Sequence, residues 1–212
     1  MIDVKNRQLL AMSPKRMTNT EPRAWQRMLS GRRLDLLSPS PLDIEIEDIA
    51  HGLARVARWN GQTKGDHAFS VAQHCLLVER LAAAMKPGLA LRFRRAALLH
   101  DASEYVVGDL ISPFKAALAL DYKDFEKRLL EAIHIRFGLP ARLPAEITRL
   151  IKRADRAAAY WEARTLAGFS AEEALRYFGP KPKGVTPDLE PLPAMEAEAR
   201  YLARFRALDA RA

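Results

Sequence analysis

A single cysteine, Cys75, stands in the 212 residues, so no internal disulfide can form and a reducing cytosol suits the chain. No stretch approaches the roughly 18–20 uncharged apolar residues that span a bilayer. The opening Met1-Ile2-Asp3-Val4-Lys5 lacks the apolar core of a signal peptide. A cytoplasmic protein with no membrane partner is therefore expected. Strand signals are nearly absent, no internal repeat is visible, and histidine is scarce at five residues. What is present is apolar: 49% of the chain is hydrophobic, too much for a disordered chain and enough for one domain with a sizeable core.

The formal net charge of +8 is concentrated rather than spread. Residues 1–33 carry Lys5, Arg7, Lys15, Arg16, Arg23, Arg27, Arg32 and Arg33 against only Asp3 and Glu21, which leaves the rest of the chain close to neutral. Such an arm can bind nucleic acid or concentrate anionic substrates. A solvated terminal segment is the plainer expectation.

From about residue 45 helical periodicity is nearly continuous. Ser38-Pro39-Ser40-Pro41 breaks the chain, and Asp43 is placed to cap a helix carrying Ile44, Ile46, Ile49, Leu53 and Val56 inward. Asn60 to Gly65 reads as a loop. Ser70 caps a second helix with Val71, Cys75, Val78 and Leu81 inward, and a third runs from about Ala90 to Tyr105 with Gly108 as its C-cap. Ser112-Pro113 opens a short connecting helix; Tyr122 to Phe137 and Pro144 to about Leu166 are longer ones. Ser170-Ala171-Glu172-Glu173 is a capping box, Pro180 through Pro193 a connector, and Ala194 to Leu208 the last helix. The expectation is an all-α protein, a single helical bundle with its site in the centre.

Four residues stand out on these helices. His74, the adjacent pair His100-Asp101 at the end of Ala96-Ala97-Leu98-Leu99, and Asp155 in Lys152-Arg153-Ala154-Asp155 form an ordered set. Two imidazoles and two carboxylates suit a divalent transition metal that keeps positions open for water and substrate. On a helix, His100 and Asp101 would point about 100° apart, so a shared metal would sit between their directions. Glu104, three residues after Asp101, and Asp109, after Gly108, are carboxylates able to orient or deprotonate a water. The plainer alternative for each acid is a solvent-facing helix-end charge.

This set, with the run His100-Asp101-Ala102-Ser103-Glu104 through Gly108-Asp109-Leu110, resembles the HD-domain metal-dependent phosphohydrolases, and most closely the branch containing the bacterial 5'-deoxynucleotidases. The likeness runs from about Asp48 to Glu162. It implies His74, His100, Asp101 and Asp155 as metal ligands and places Glu104 and Asp109 beside the attacking water. It puts Arg58-Trp59 where the resembling enzymes carry an arginine for phosphate and a tryptophan for the nucleoside. Lys115 is a further candidate for phosphate, and His67 for a substrate contact. Dinuclear members use extra histidines between the second and third elements, where this chain has only His134, so one metal is expected; manganese, cobalt, iron, nickel and zinc all suit the donors.

The expected organisation is a basic extension over residues 1–40, partly disordered, an HD-domain core over 41–168, and a helical extension over 169–212 packing on that core. The two ends have no counterpart in the compact family core and are expected to cover the pocket or mediate a homodimer. The expected activity is release of phosphate from (deoxy)nucleoside 5'-monophosphates. Hydrolysis of another phosphoester, a nucleoside triphosphate or a signalling nucleotide, stands as the alternative. So do nucleic-acid binding through the basic arm and ligand sensing by an inactive metal site.

Overall fold

Ser70 begins the helix around which the rest is built: its Oγ accepts the Gln73 N–H, the N-cap bond that spares one of the four unpaired amides of a helix start. The computed structural model describes residues 24–109, 122–182, 185–187 and 189–210. The arm before residue 24, the Ser112-Pro113 connector and Lys115 lie outside them. Among the described residues the chain forms a hairpin, β1 (Trp25–Arg27) and β2 (Arg33–Asp35), then α1 (Ile46–Leu53), α2 (Val71–Met85), α3 (Leu91–Leu98), α4 (Glu104–Val107), α5 (Tyr122–Arg136), α6 (Ala145–Thr165), α7 (Ala171–Phe178) and α8 (Ala194–Asp209). The fold is all-α apart from that hairpin.

Helix α2 packs against α6, α3 and α8, with smaller contact to α1. Neighbours on several sides explain why Val71, Cys75, Val78 and Leu81 are buried together with the polar Gln73, His74 and Glu79. Such burial needs partners for the polar groups. Glu79 receives Arg94 and Arg204, which ties α2 to α3 and α8. Tyr201 of α8 is fully buried and donates its hydroxyl to Leu98 O at 3.2 Å. With Phe205 and Leu208 also buried, α8 forms part of the same core as the helices before it.

Three local expectations are corrected. The hairpin lies inside the segment expected to be an extension: Leu34 is fully buried and Ser30 binds Asp48 through both backbone and hydroxyl. Three-residue strands are too short to show a period-2 pattern. Asp43 caps no helix; it ends a 3-10 turn at Pro41–Asp43 that Ser40 caps, and α1 starts later, after Glu45. The expected third helix does not run through to Tyr105. It stops at Leu98, and the hydrogen bonds from Ala102 to Leu99, Glu104 to Asp101, Tyr105 to Ala102 and Val106 to Ser103 are of the tighter i→i−3 kind, through the turn and into the start of α4. His100 and Asp101 therefore sit in a turn.

Candidate metal centre

His74 enters the centre from α2 with its side chain fully buried, His100 and Asp101 from the α3–α4 turn, and Asp155 from the middle of α6 with its side chain 44% exposed. His74 Nε2 lies 3.4 Å from Asp101 Oδ2 and 3.2 Å from Asp155 Oδ1, and His100 Nε2 lies 3.1 Å from Asp101 Oδ2. One ligand atom each from His74, His100 and Asp101 falls within 4.8 Å of the others, so these three could hold a metal ion. The turn at Leu99–Ser103 lets neighbours in sequence face one point, which a regular helix would splay about 100° apart.

The other ring nitrogens are already committed. His74 Nδ1 meets Glu162 Oε1 at 2.5 Å, and His100 Nδ1 donates to Ala97 O at 3.0 Å. With the protons on Nδ1, each Nε2 presents a lone pair, and both Nε2 atoms are buried with no hydrogen-bond partner among the described residues. Two lone pairs and two carboxylates converging on one point repel each other unless a cation lies among them. A divalent ion fits that donor set, and a histidine donating its far nitrogen to a carboxylate or carbonyl is the usual support of a metal ligand. Without one, protons take that place. Burial and Arg58 oppose charge on His74, but Glu162, Asp101 and Asp155 outweigh them and hold its pKa well above the ordinary imidazole value. Burial likewise opposes charge on His100, and Asp101 chiefly overcomes it.

Glu162 is the residue that sequence reasoning missed. It stands seven residues after Asp155 on α6, two turns along the same face, and is fully buried. Besides His74 it accepts the Trp59 indole N–H at 2.9 Å and the Arg58 Nε–H at 3.3 Å. Burial would raise its pKa; His74 and Arg58, and the hydrogen bonds from His74 and Trp59, bring it down to about 2 instead. The i+7 spacing from Asp155 was its only sequence signal.

Arg58 and Trp59 are placed by the base of the 57–70 loop, where Arg58 N–H donates to Phe69 O and Val71 N–H to Val56 O. Arg58 also binds Asp109 at 2.9 Å. Burial would weaken its charge, but Glu162, Asp109, Asp101 and Glu104 together keep it firmly protonated. Trp59 takes a left-handed backbone, φ 56°, and its ring packs on Phe169 and Phe178 from the C-terminal segment. Glu104 is buried at the start of α4. His67 lies on the exposed part of the loop.

On the side of Asp155 the cluster opens into a cavity of about 400 Å³ between α5 and α6. His100, Asp101 and Asp155 form one part of its wall; Lys127, His134, Arg142 and Lys152 contribute polar groups, and Leu130, Leu143 and Ile151 apolar surface. Arg58, Trp59, Glu104 and Asp109 do not line it; Arg58 and Trp59 bind Glu162, and Asp109 binds Arg58. His134 is buried on the cavity wall.

Residues 71–160, the stretch holding all four candidate ligands, match the family described as HD domain. An uncharacterised protein of Rhodobacter capsulatus is 60% identical over 190 residues, which cover 88% of this chain and 96% of the relative. The chain belongs to the HD-domain family. The uncharacterised protein YfdR of Escherichia coli K12 is 37% identical over 98 residues, 46% of this chain and 49% of that protein. The HD domain supports a metal-dependent hydrolase as the coarse reading, and among the described residues no helix is long and apolar enough to cross a membrane.

Proposed function

We propose that the protein releases phosphate from (deoxy)nucleoside 5'-monophosphates, with His74, His100, Asp101 and Asp155 holding one divalent ion. The observation that carries this reading is the meeting of two Nε2 lone pairs with the Asp101 and Asp155 carboxylates at the wall of a cavity sized for a small phosphoester. When bound, the ion supplies Lewis-acid activation of water and of a phosphoryl oxygen.

The chain's own residues do the rest. His74 is held by Glu162 and His100 by Ala97 O, so neither ring can rotate away from the shared point. Glu104 and Asp109 handle protons and orient the water. Arg58, anchored on Glu162 and Asp109, is assigned to phosphate oxygens by the family resemblance. Trp59 walls the nucleoside side, and Lys115 is a further phosphate contact.

Within the described residues the cavity lining holds no aromatic ring other than the two histidines, which favours a non-nucleoside phosphomonoester as the second reading. The test is phosphate release from deoxynucleoside and ribonucleoside 5'-monophosphates, nucleoside triphosphates and glycerol phosphate. Metal-stripped protein would be resupplied with manganese, cobalt or zinc, with EDTA as control. Release from monophosphates alone supports the reading; release from glycerol phosphate alone moves the substrate to the second. Metal-loaded protein inert toward all of them ends both.

A further inference from the structure

The cavity wall has a regular origin. On α5, Lys127, Leu130, Glu131 and His134 recur at i, i+3, i+4 and i+7; on α6, Thr148, Ile151, Lys152 and Asp155 repeat that spacing. Each set is one face of a helix. The short connection between Arg136 and Ala145 turns the chain back, so His134 and Thr148 stand near the connection. Lys127 and Asp155 lie seven residues away along each helix, roughly 10 Å or two turns. The metal centre is thus at one end of the groove, with Lys127 across from it and Lys152 one turn from Asp155.

Charge then decides what those lysines are for. A divalent ion among His74, His100, Asp101 and Asp155 is neutralised by the two carboxylates. A phosphate monoester, close to a dianion at neutral pH, would arrive with its charge unmatched. Arg58 does not line the cavity and is already bound to Asp109 and Glu162, two carboxylates for one guanidinium. Arg142 is paired with Glu131 at 2.9 Å. Among the described residues Lys127 and Lys152 form no ion pair, and they are the two cations left on the wall.

Resting on the phosphohydrolase reading, we infer that Lys127 and Lys152 are further substrate-binding cations of this site, on its cavity side. They match the two charges of a phosphate monoester bound in the groove, while Leu130, Leu143 and Ile151 carry its organic part. The substrate class is a phosphate monoester, entering between α5 and α6.

The test is calorimetric titration of the full-length, cobalt-loaded protein with inorganic phosphate at two salt concentrations. The wild type, the double variant Lys127→Ala/Lys152→Ala, the double variant Lys127→Arg/Lys152→Arg and the control Lys86→Ala are compared. The alanine pair should bind phosphate about five- to thirty-fold more weakly, with a smaller salt dependence. The arginine pair should restore binding, and Lys86→Ala should leave it unchanged. The inference is overturned if the alanine pair binds within twofold of wild type, if Lys86→Ala loses as much, or if the wild type binds no phosphate. Because binding is read without turnover, a protein that hydrolyses nothing yet loses phosphate on removal of the lysines ends the hydrolase reading alone. One that hydrolyses monoesters and ignores the lysines ends only this inference.

Discussion

Glu162 Oε1 lies 2.5 Å from His74 Nδ1, and Oε2 of the same carboxylate receives the indole of Trp59 and the guanidinium of Arg58. One buried side chain therefore sets the tautomer of a candidate metal ligand and the position of two residues from a different segment. It is the joint between the centre and the 57–70 loop.

Replacing it should loosen both. Glu162→Gln keeps an oxygen for His74 but loses the charge that Arg58 faces. Metal affinity is expected to fall about 10–100-fold, the usual cost of losing such a support, as read by competition with a chromophoric chelator. Glu162→Ala should fall further and also melt earlier. Unchanged affinity in both variants would separate Glu162 from the metal centre.

Asp101 touches both histidines, within 3.4 Å of one and 3.1 Å of the other. Asp101→Ala should abolish bound metal, measured by elemental analysis, together with phosphate release. EDTA should lower the melting temperature of the wild type, since an ion bound only to the native state stabilises it, and leave that of Asp101→Ala where it was. Full turnover by Asp101→Ala would remove it from the mechanism.

At Gly52, α1 approaches α4 closely. A Cβ built there would stand 2.7 Å from Tyr105 Cβ and 3.1 Å from its Cα, with backbone on the far side. Gly52→Ala should destabilise the fold by about 1–3 kcal/mol through overpacking. Denaturant unfolding reads the loss, and Tyr105, next to Glu104, carries the disturbance toward the site. A variant as stable as wild type would show that α4 can shift freely.

Burial holds the pKa of His134 below the ordinary histidine value, against Ala141 O and Glu131, which favour its charge. As pH falls through about 6.5 the unfolded chain takes up that proton first. Stability is therefore unaffected by this group above that pH and declines on acidification below it. His134→Asn should lose less unfolding free energy than wild type between pH 7.5 and 5.5. Parallel curves for the two proteins would contradict the assignment.

Local chemistry was largely legible in the chain. Ser70 and the Ser170–Glu173 capping box start α2 and α7 where expected, and Gly108 ends α4 with φ 76°. The apolar spacing of α2, α5, α6 and α8 located those helices because amphipathic periodicity repeats over many residues. His74, His100, Asp101 and Asp155 were named from the sequence because each lies on or beside such an element, and the structure brings ligand atoms of His74, His100 and Asp101 within 4.8 Å of one another.

The break at Leu98 was not legible, because Leu99, Ala102 and Tyr105 suit a continuing helix and only burial of that turn against its neighbours selects the tighter bonds. Nor could spacing show that an acid two turns past Asp155 meets a histidine 88 positions away, or that three-residue strands would bury Leu34. The sequence by itself determined which segments are helical and which residue types the centre contains, since caps and periodicity act within a few residues. The tertiary structure alone decided which nitrogen of each imidazole is available, that Arg58 is tied to Asp109 and Glu162, and that the cavity opens between α5 and α6. Those outcomes depend on contacts between distant segments, where burial and charge act through space.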